Sequence, residues 1–105
     1  DERLKVSPPD KYSAIVTLSH DPKIDDQAIT HALNSKAFYI ACLGSKKTHL
    51  SRLKRLKQKG FNLSQLNRIM GPAGLPINSK TPPEIAVSIM AQLIQTKEDN
   101  KHFYL

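Results

Sequence analysis

At 105 residues the chain has room for one small domain with a core of its own and none for a second. Sixteen Lys and Arg against nine Asp and Glu leave a formal charge of +7, which favours phosphates, nucleic acid or acidic protein surfaces as partners and says nothing of fold. The single cysteine, Cys42, excludes an internal disulfide framework, and no apolar run approaches the roughly twenty residues that span a bilayer. With no charged-then-apolar signal segment at its start, the chain is expected to be soluble and cytoplasmic.

Residues 1–11 are polar and carry Pro8 and Pro9, which marks a lead-in or linker; residues 12–98 form the domain and 99–105 a tail. Ala14-Ile-Val-Thr-Leu-Ser19 is a short, nearly continuous apolar and β-branched run, the pattern of a strand covered on both faces. After the His20-Asp21-Pro22 turn, Asp25 or Asp26 offers an N-cap for a helix to about Asn34, with Ile29 and Leu33 on one face. Phe38 to Leu43 is a second buried strand, which makes Cys42 a buried, inert thiol. From Lys46 a helix carries Leu50, Leu53 and Leu56 at helical spacing and stops at Gly60. Seven of the sixteen basic residues lie between Lys46 and Lys59 with no acid among them, so this one helix concentrates the positive charge.

Phe61 to Ile69 includes a short helix capped by Asn62 or Ser64, and Gly71-Pro-Ala-Gly-Leu-Pro-Ile77 reads as an ordered loop. Thr81-Pro-Pro-Glu84 opens the last helix with a Thr cap, Pro in the first turn and Glu84 completing a capping box. Its body, Ile85 to Ile94, is apolar nearly all round, which calls for burial against the sheet and a further element. Alternating strands and helices, with continuous apolar strands, give the α/β class and a small parallel sheet built from right-handed βαβ units. Two parallel strands leave apolar faces and edges that need cover. Self-association as a twofold dimer, through the Ile85 to Ile94 helix or edge to edge, is therefore expected, with the Tyr12 lead-in or the Phe103-Tyr104-Leu105 tail as the alternative cover.

Ligands of such sheets bind beyond the carboxyl ends of the strands, where the His20-Asp21 and Gly44-Ser45 turns both fall. The second turn leads through Gly44-Ser-Lys-Lys-Thr-His49 into the basic helix, so unpaired backbone N–H groups and two lysines stand where an anion can sit. It lacks the G-x-G-x-x-G and G-x-x-x-x-G-K-[ST] spacings, so it is phosphate-friendly without a specific nucleotide fingerprint. Two readings stand: an anion site, or a tight turn at Gly44 with Ser45 as a plain helix cap. For His49 they are a donor to a phosphate held by the Ser45 to Thr48 turn, or an exposed first-turn side chain. Metal-dependent phosphohydrolases use His-Asp pairs like His20-Asp21, yet His31, His49 and His102 stand in no matching pattern. No metal is expected there, and Asp21 is read as ordering the turn. Ser45 lacks the G-x-S-x-G elbow, and no catalytic constellation is expected.

Four stretches in order, Thr17 to Asp26, Ala37 to His49, Gly71 to Ile77 and Thr81 to Ile89, look like the C-terminal Rossmann-type domain of the XdhC/CoxF family, a resemblance that runs from Ala14 to Ile94. The resemblance implies a partial Rossmann-like, three-layer fold and a non-catalytic accessory protein. Such a protein binds the molybdenum cofactor (molybdopterin), protects it during maturation and delivers it to xanthine dehydrogenase or a related molybdoenzyme. The cofactor-binding residues would then be His20, Asp21, Gly44, Ser45, Lys46, Lys47, Thr48 and His49. The family's glycine-rich first half and its cysteine-containing N-terminal domain have no counterpart here, so the chain reads as a fragment or truncated relative. A nucleic-acid-binding module using the Lys46 to Lys59 helix is an alternative, disfavoured because no aromatic residue stands among its bases for stacking. An NAD-binding oxidoreductase fragment is another, disfavoured by the absent glycine fingerprint and ribose-binding acid.

Overall fold

Among the described residues three short strands, all parallel, form the sheet. In the computed structural model, which describes residues 10–19 and 21–99, β1 (Ala14–Thr17), β2 (Tyr39–Cys42) and β3 (Ile69–Met70) pair in the order β1-β2-β3. Ala14 lies opposite Tyr39, and Ile40 opposite Ile69. The crossovers are α1 (Pro22–Leu33) between β1 and β2, and α2 (Lys46–Gln58) with the short α3 (Leu63–Leu66) between β2 and β3; α4 (Pro82–Glu98) follows. Strand alternation divides the core. Ile40 and Cys42 face Ile29, Leu33 and Leu56 of α1 and α2, while Tyr39 and Ala41 face Ile89 of α4. The result is the expected α/β, Rossmann-like three-layer arrangement.

Several local expectations need correction. The described sheet has three strands, not two: Ile69, at the end of the segment read as including a short helix and assigned to no strand, pairs with Ile40, and a two-residue strand is too short to show a period of two. The first strand ends at Thr17 and is a sheet edge: Ile15 packs against one half of the core and Val16 against the other, so both faces are partly covered, while Ala14 and Leu18 at its ends are exposed. The first helix begins at Pro22 under an Asp21 cap, whose side chain accepts the Lys23 N–H at 2.9 Å, rather than at Asp25 or Asp26. Leu50 is 66% exposed, because the buried stripe of α2 is centred on Arg52 and Leu56. The remaining signals agree with the sequence: Gly60 follows α2 at φ +103°, Asn62 caps α3 and Thr81 with Glu84 forms the capping box of α4. Cys42 is fully buried, and burial pushes its thiol up.

Two polar side chains fasten the layers. The Arg68 guanidinium donates to the carbonyls of Leu33 at 2.9 Å, Ser35 at 3.1 Å and Ala37 at 2.9 Å, gathering the end of α1 and the entry to β2 around one cation. Gln92 of α4 accepts from the Tyr39 hydroxyl at 2.6 Å and from the Gly74 N–H at 3.0 Å. Those bonds, with the Ala73 N–H donating to the Cys42 carbonyl at 2.9 Å, hold the 71–77 loop against the end of β2. Of α4, Ser88 and Ile89 are buried while Val87, Met90 and Ile94 form an uncovered stripe. The helix is thus covered on one face only. No described helix is long and apolar enough to cross a membrane. His20, residues 1–9 and residues 100–105, the tail side chains Phe103 to Leu105 and His102 among them, lie outside the described residues.

Candidate functional site

The two turns at the carboxyl ends of β1 and β2 do converge. Between them lies a cavity of about 380 Å³ lined by Ser19 and Pro22 from the first turn and Gly44, Lys47, Thr48 and Ser51 from the second, with Asp25, Arg52 and Arg55 among its walls. This volume is within the range of small-ligand pockets. The local reason for its shape is the turn before α2. Gly44 adopts φ +130°, which glycine takes without strain, and a Cβ there would stand 3.1 Å from the Thr48 methyl group. Ser45 then caps the helix, its hydroxyl accepting the Thr48 N–H at 3.1 Å. That cap uses one of the first-turn donors and leaves the Lys46 and Lys47 N–H groups at the open helix end.

The expected site residues are not all brought together. Gly44, Lys47 and Thr48 line the cavity; Ser45 shapes it as the cap; Lys46 is exposed and Asp21 caps α1, both outside the lining. His20 lies outside the described residues. His49 is neither exposed nor turned to the cavity. It is half-buried, and a Cβ on Gly71 would come within 2.2 Å of its ring, so ring and loop backbone are in intimate contact. Burial, and then Arg52 beside it, hold its imidazole below the usual histidine range. Among the described residues no group of three or more His, Cys, Asp and Glu is placed to hold a metal.

Sequence reasoning did not reach the floor of the cavity. Arg55 donates to Asp26 through Nε at 2.7 Å and Nη2 at 3.1 Å, a two-pronged pair between α2 and α1. Arg52 and Asp25, beside it, are held loosely. Arg52 Nη2 stands 3.6 Å from Asp25 Oδ2 and donates to the Leu43 carbonyl at 3.3 Å, with both side chains almost wholly buried. Arg52 Nε and Asp25 Oδ1 have no hydrogen-bond partner among the described residues. Burial raises the Asp25 carboxyl above the usual carboxylate range against the opposing pull of Arg52, and Asp26 and Asp21 add to the rise. The one sequence signal was the spacing itself: adjacent acids on one helix and arginines three apart on the next. The arrangement suits capture of an anionic group, with cations, hydroxyls and open N–H groups converging on one rim.

The chain also matches known proteins in sequence and in fold. A family model described as the XdhC Rossmann domain matches residues 1–93. The chain is 27% identical over 88 residues to the molybdenum cofactor insertion chaperone PaoD of Escherichia coli (strain K12), covering 84% of this chain and 28% of that protein. It is 33% identical over 87 residues to a probable xanthine dehydrogenase subunit of Bacillus subtilis (strain 168), covering 83% and 24%. The crystal structure of a xanthine dehydrogenase from Bacillus halodurans superposes with a TM-score of 0.74 at 30% identity, over 95% of this chain and 28% of that one. The chain thus spans about a quarter of the length of these relatives.

Proposed function

The chain belongs to the XdhC Rossmann-domain family, and on that premise we propose that it is a cytoplasmic, non-catalytic accessory module that holds the molybdenum cofactor for delivery to a xanthine dehydrogenase-type molybdoenzyme. The observation that carries this reading is the cavity at the carboxyl ends of β1 and β2, with Lys47, Thr48 and Gly44 at its rim and two arginines in its walls. Molybdopterin carries a phosphate, and an open helix start flanked by lysines supplies the N–H donors and charge that such a group needs. The relative named a molybdenum cofactor insertion chaperone supports the choice of ligand. The nucleic-acid alternative loses ground on the same helix, since Arg52 and Arg55 are turned inward onto Asp25 and Asp26.

Purified protein titrated with molybdopterin is expected to bind it. Reversing both Lys46 and Lys47 to Glu should weaken that binding by roughly tenfold or more, with Lys47 carrying most of the effect because it lines the cavity. A double variant that folds and binds molybdopterin unchanged places the cofactor elsewhere.

The module also forms a homodimer in this reading. Val87, Met90 and Ile94 lie three and four residues apart on the uncovered side of α4, a self-complementary apolar stripe suited to packing on its twofold mate. Sedimentation equilibrium at micromolar concentration should show dimer for the wild type and monomer for Met90→Glu. A wild-type monomer throughout that range would remove the dimer from the proposal.

A further inference from the structure

The two arginines in the cavity wall are held in different ways. Arg52 is 2% exposed and spends Nη2 on the Leu43 carbonyl and on Asp25. Arg55 is the accessible one: its side chain is 36% exposed, and the residue lines the cavity. Asp26 takes only one edge of its guanidinium, Nε at 2.7 Å and Nη2 at 3.1 Å. A guanidinium has a second edge, the Nη1–Nη2 fork that matches the oxygens of a phosphate. On Arg55 that fork is unspent. Nη1 bonds to no described residue, and it is not among the partnerless atoms that burial closes off from solvent. Asp26, by contrast, is 4% exposed and does not line the cavity, so it grips Arg55 from within the protein. Lys47, Ser51 and Arg55 recur every four residues on one face of α2 and all three line the cavity, so a ligand anchored at the rim by Lys47 runs on toward Arg55.

We infer that Arg55 grips the phosphate of a ligand in this cavity through its Nη1–Nη2 fork, and that Asp26 is the positioning residue for Arg55. The inference rests on the reading of the cavity as the ligand site and names the side chains that set its affinity. A free arginine side chain samples many rotamers and loses that freedom when it binds. The two bonds from Arg55 to Asp26 fix the guanidinium plane before the ligand arrives, so less freedom is lost on binding. The same carboxylate also opposes the ligand, because its negative charge lies close behind the cation that the phosphate meets. These two effects have opposite signs. If Asp26 acted by its charge alone, neutralising it would tighten phosphate binding; acting by its hold on Arg55, its neutralisation weakens binding.

The test is an NMR titration with glycerol 2-phosphate, which reads affinity and fold in the same spectra, for the wild type, Asp26→Asn, Arg55→Lys and the double variant. Asp26→Asn keeps the shape and an acceptor oxygen but removes the charge-assisted hold, and should weaken binding roughly fivefold despite the gain in net positive charge. Arg55→Lys keeps the charge and loses the fork, and should weaken binding about tenfold. In the Arg55→Lys background Asp26→Asn should weaken binding no further, since no fork is left to position. In the wild type the Arg55 Nη signals should shift on titration while its Nε–H, bonded to Asp26, stays protected from exchange. Unchanged or tighter binding by Asp26→Asn overturns the inference, as does an equal loss in both backgrounds or unchanged binding by Arg55→Lys. Wild-type protein that does not bind glycerol 2-phosphate, or binds it with unmoved Arg55 Nη signals, overturns it too, and both results are decisive even if a variant does not fold. Molybdopterin titrated into the wild type and Asp26→Asn separates the two readings: binding that the variant leaves unweakened retains the cofactor and discards the Arg55 grip, whereas the expected glycerol phosphate pattern with no binding of molybdopterin does the reverse.

Discussion

Arg52→Ala is expected to lower the free energy of unfolding by about 3–5 kcal/mol, the cost of stranding a buried charge whose partner has been removed. Arg52 is 2% exposed, and its loss would leave Asp25 at 5% exposure facing Asp26 and Asp21 with no cation of its own, and the Leu43 carbonyl without its donor. The loss should depend on pH in a definite direction. The folded-state Asp25 carboxyl already lies above its unfolded value and would rise further without Arg52. Its contribution is therefore most favourable at low pH and is lost as pH rises through the folded value, so the variant should be less impaired at pH 4 than at pH 7. Replacing both partners by apolar residues, Asp25→Leu with Arg52→Met, should recover most of the stability, because the cost lies in the unpaired charge rather than in the absent bridge. Urea unfolding of the wild type, the single variant and the double variant measures this. An Arg52→Ala variant within about 1 kcal/mol of wild type at pH 7 would show that Asp25 finds solvent or another partner there.

Gly74→Ala should cost about 3 kcal/mol through an unrelated mechanism. Gly74 has φ +100°, a conformation in which an L side chain is strained by roughly 1–3 kcal/mol. Its Cβ would also stand 2.3 Å from the Ser88 hydroxyl and 3.3 Å from the Ile89 backbone nitrogen. Ser88 has nowhere to retreat: it is 1% exposed, and its hydroxyl donates to the Ile85 carbonyl at 2.7 Å. Moving the loop instead breaks the Gly74 bonds to Gln92, and through Gln92 the contact with Tyr39, whose hydroxyl burial pushes up to about 12. Adding Ser88→Ala should relieve the clash with the hydroxyl and leave the backbone strain, so the double variant should recover only part of the loss. Thermal and urea unfolding decide the matter, and full recovery in the double variant would assign the whole cost to the side-chain clash.

What the sequence made legible was local. Ser45, Asn62, Thr81 with Glu84, and Gly60 each act within four residues of their own position, and each stands where its cap or stop was expected. The apolar run at Phe38 to Leu43 likewise contains the fully buried β2. What escaped was long-range. Asp25 and Asp26 were legible only as acids near a helix start, since the arginines that define their role lie on a different helix. Arg68 looks like one more surface base until the fold brings three carbonyls around it. In the site, the turn residues Gly44, Lys47 and Thr48 could be named from the chain, whereas Ser19, Ser51, Asp25, Arg52 and Arg55 enter only when α1 and α2 pack side by side. His49 shows the converse error. Its neighbours in sequence point to the rim, but its ring is packed on Gly71, a residue from another loop.

The parallel sheet also constrains how the chain comes into being on the ribosome. Among the described residues no strand pairs with the next through a hairpin: Ala14 meets Tyr39 across one whole helix, and Ile40 meets Ile69 across two. Such non-local pairing is slow to nucleate. As synthesis proceeds from the N-terminus, β2 emerges with one side of its backbone unsatisfied until Met70 has left the exit tunnel, and its Tyr39 and Ala41 face stays bare until α4 follows. The sheet therefore stays sticky on that face until α4 has been made and covers it.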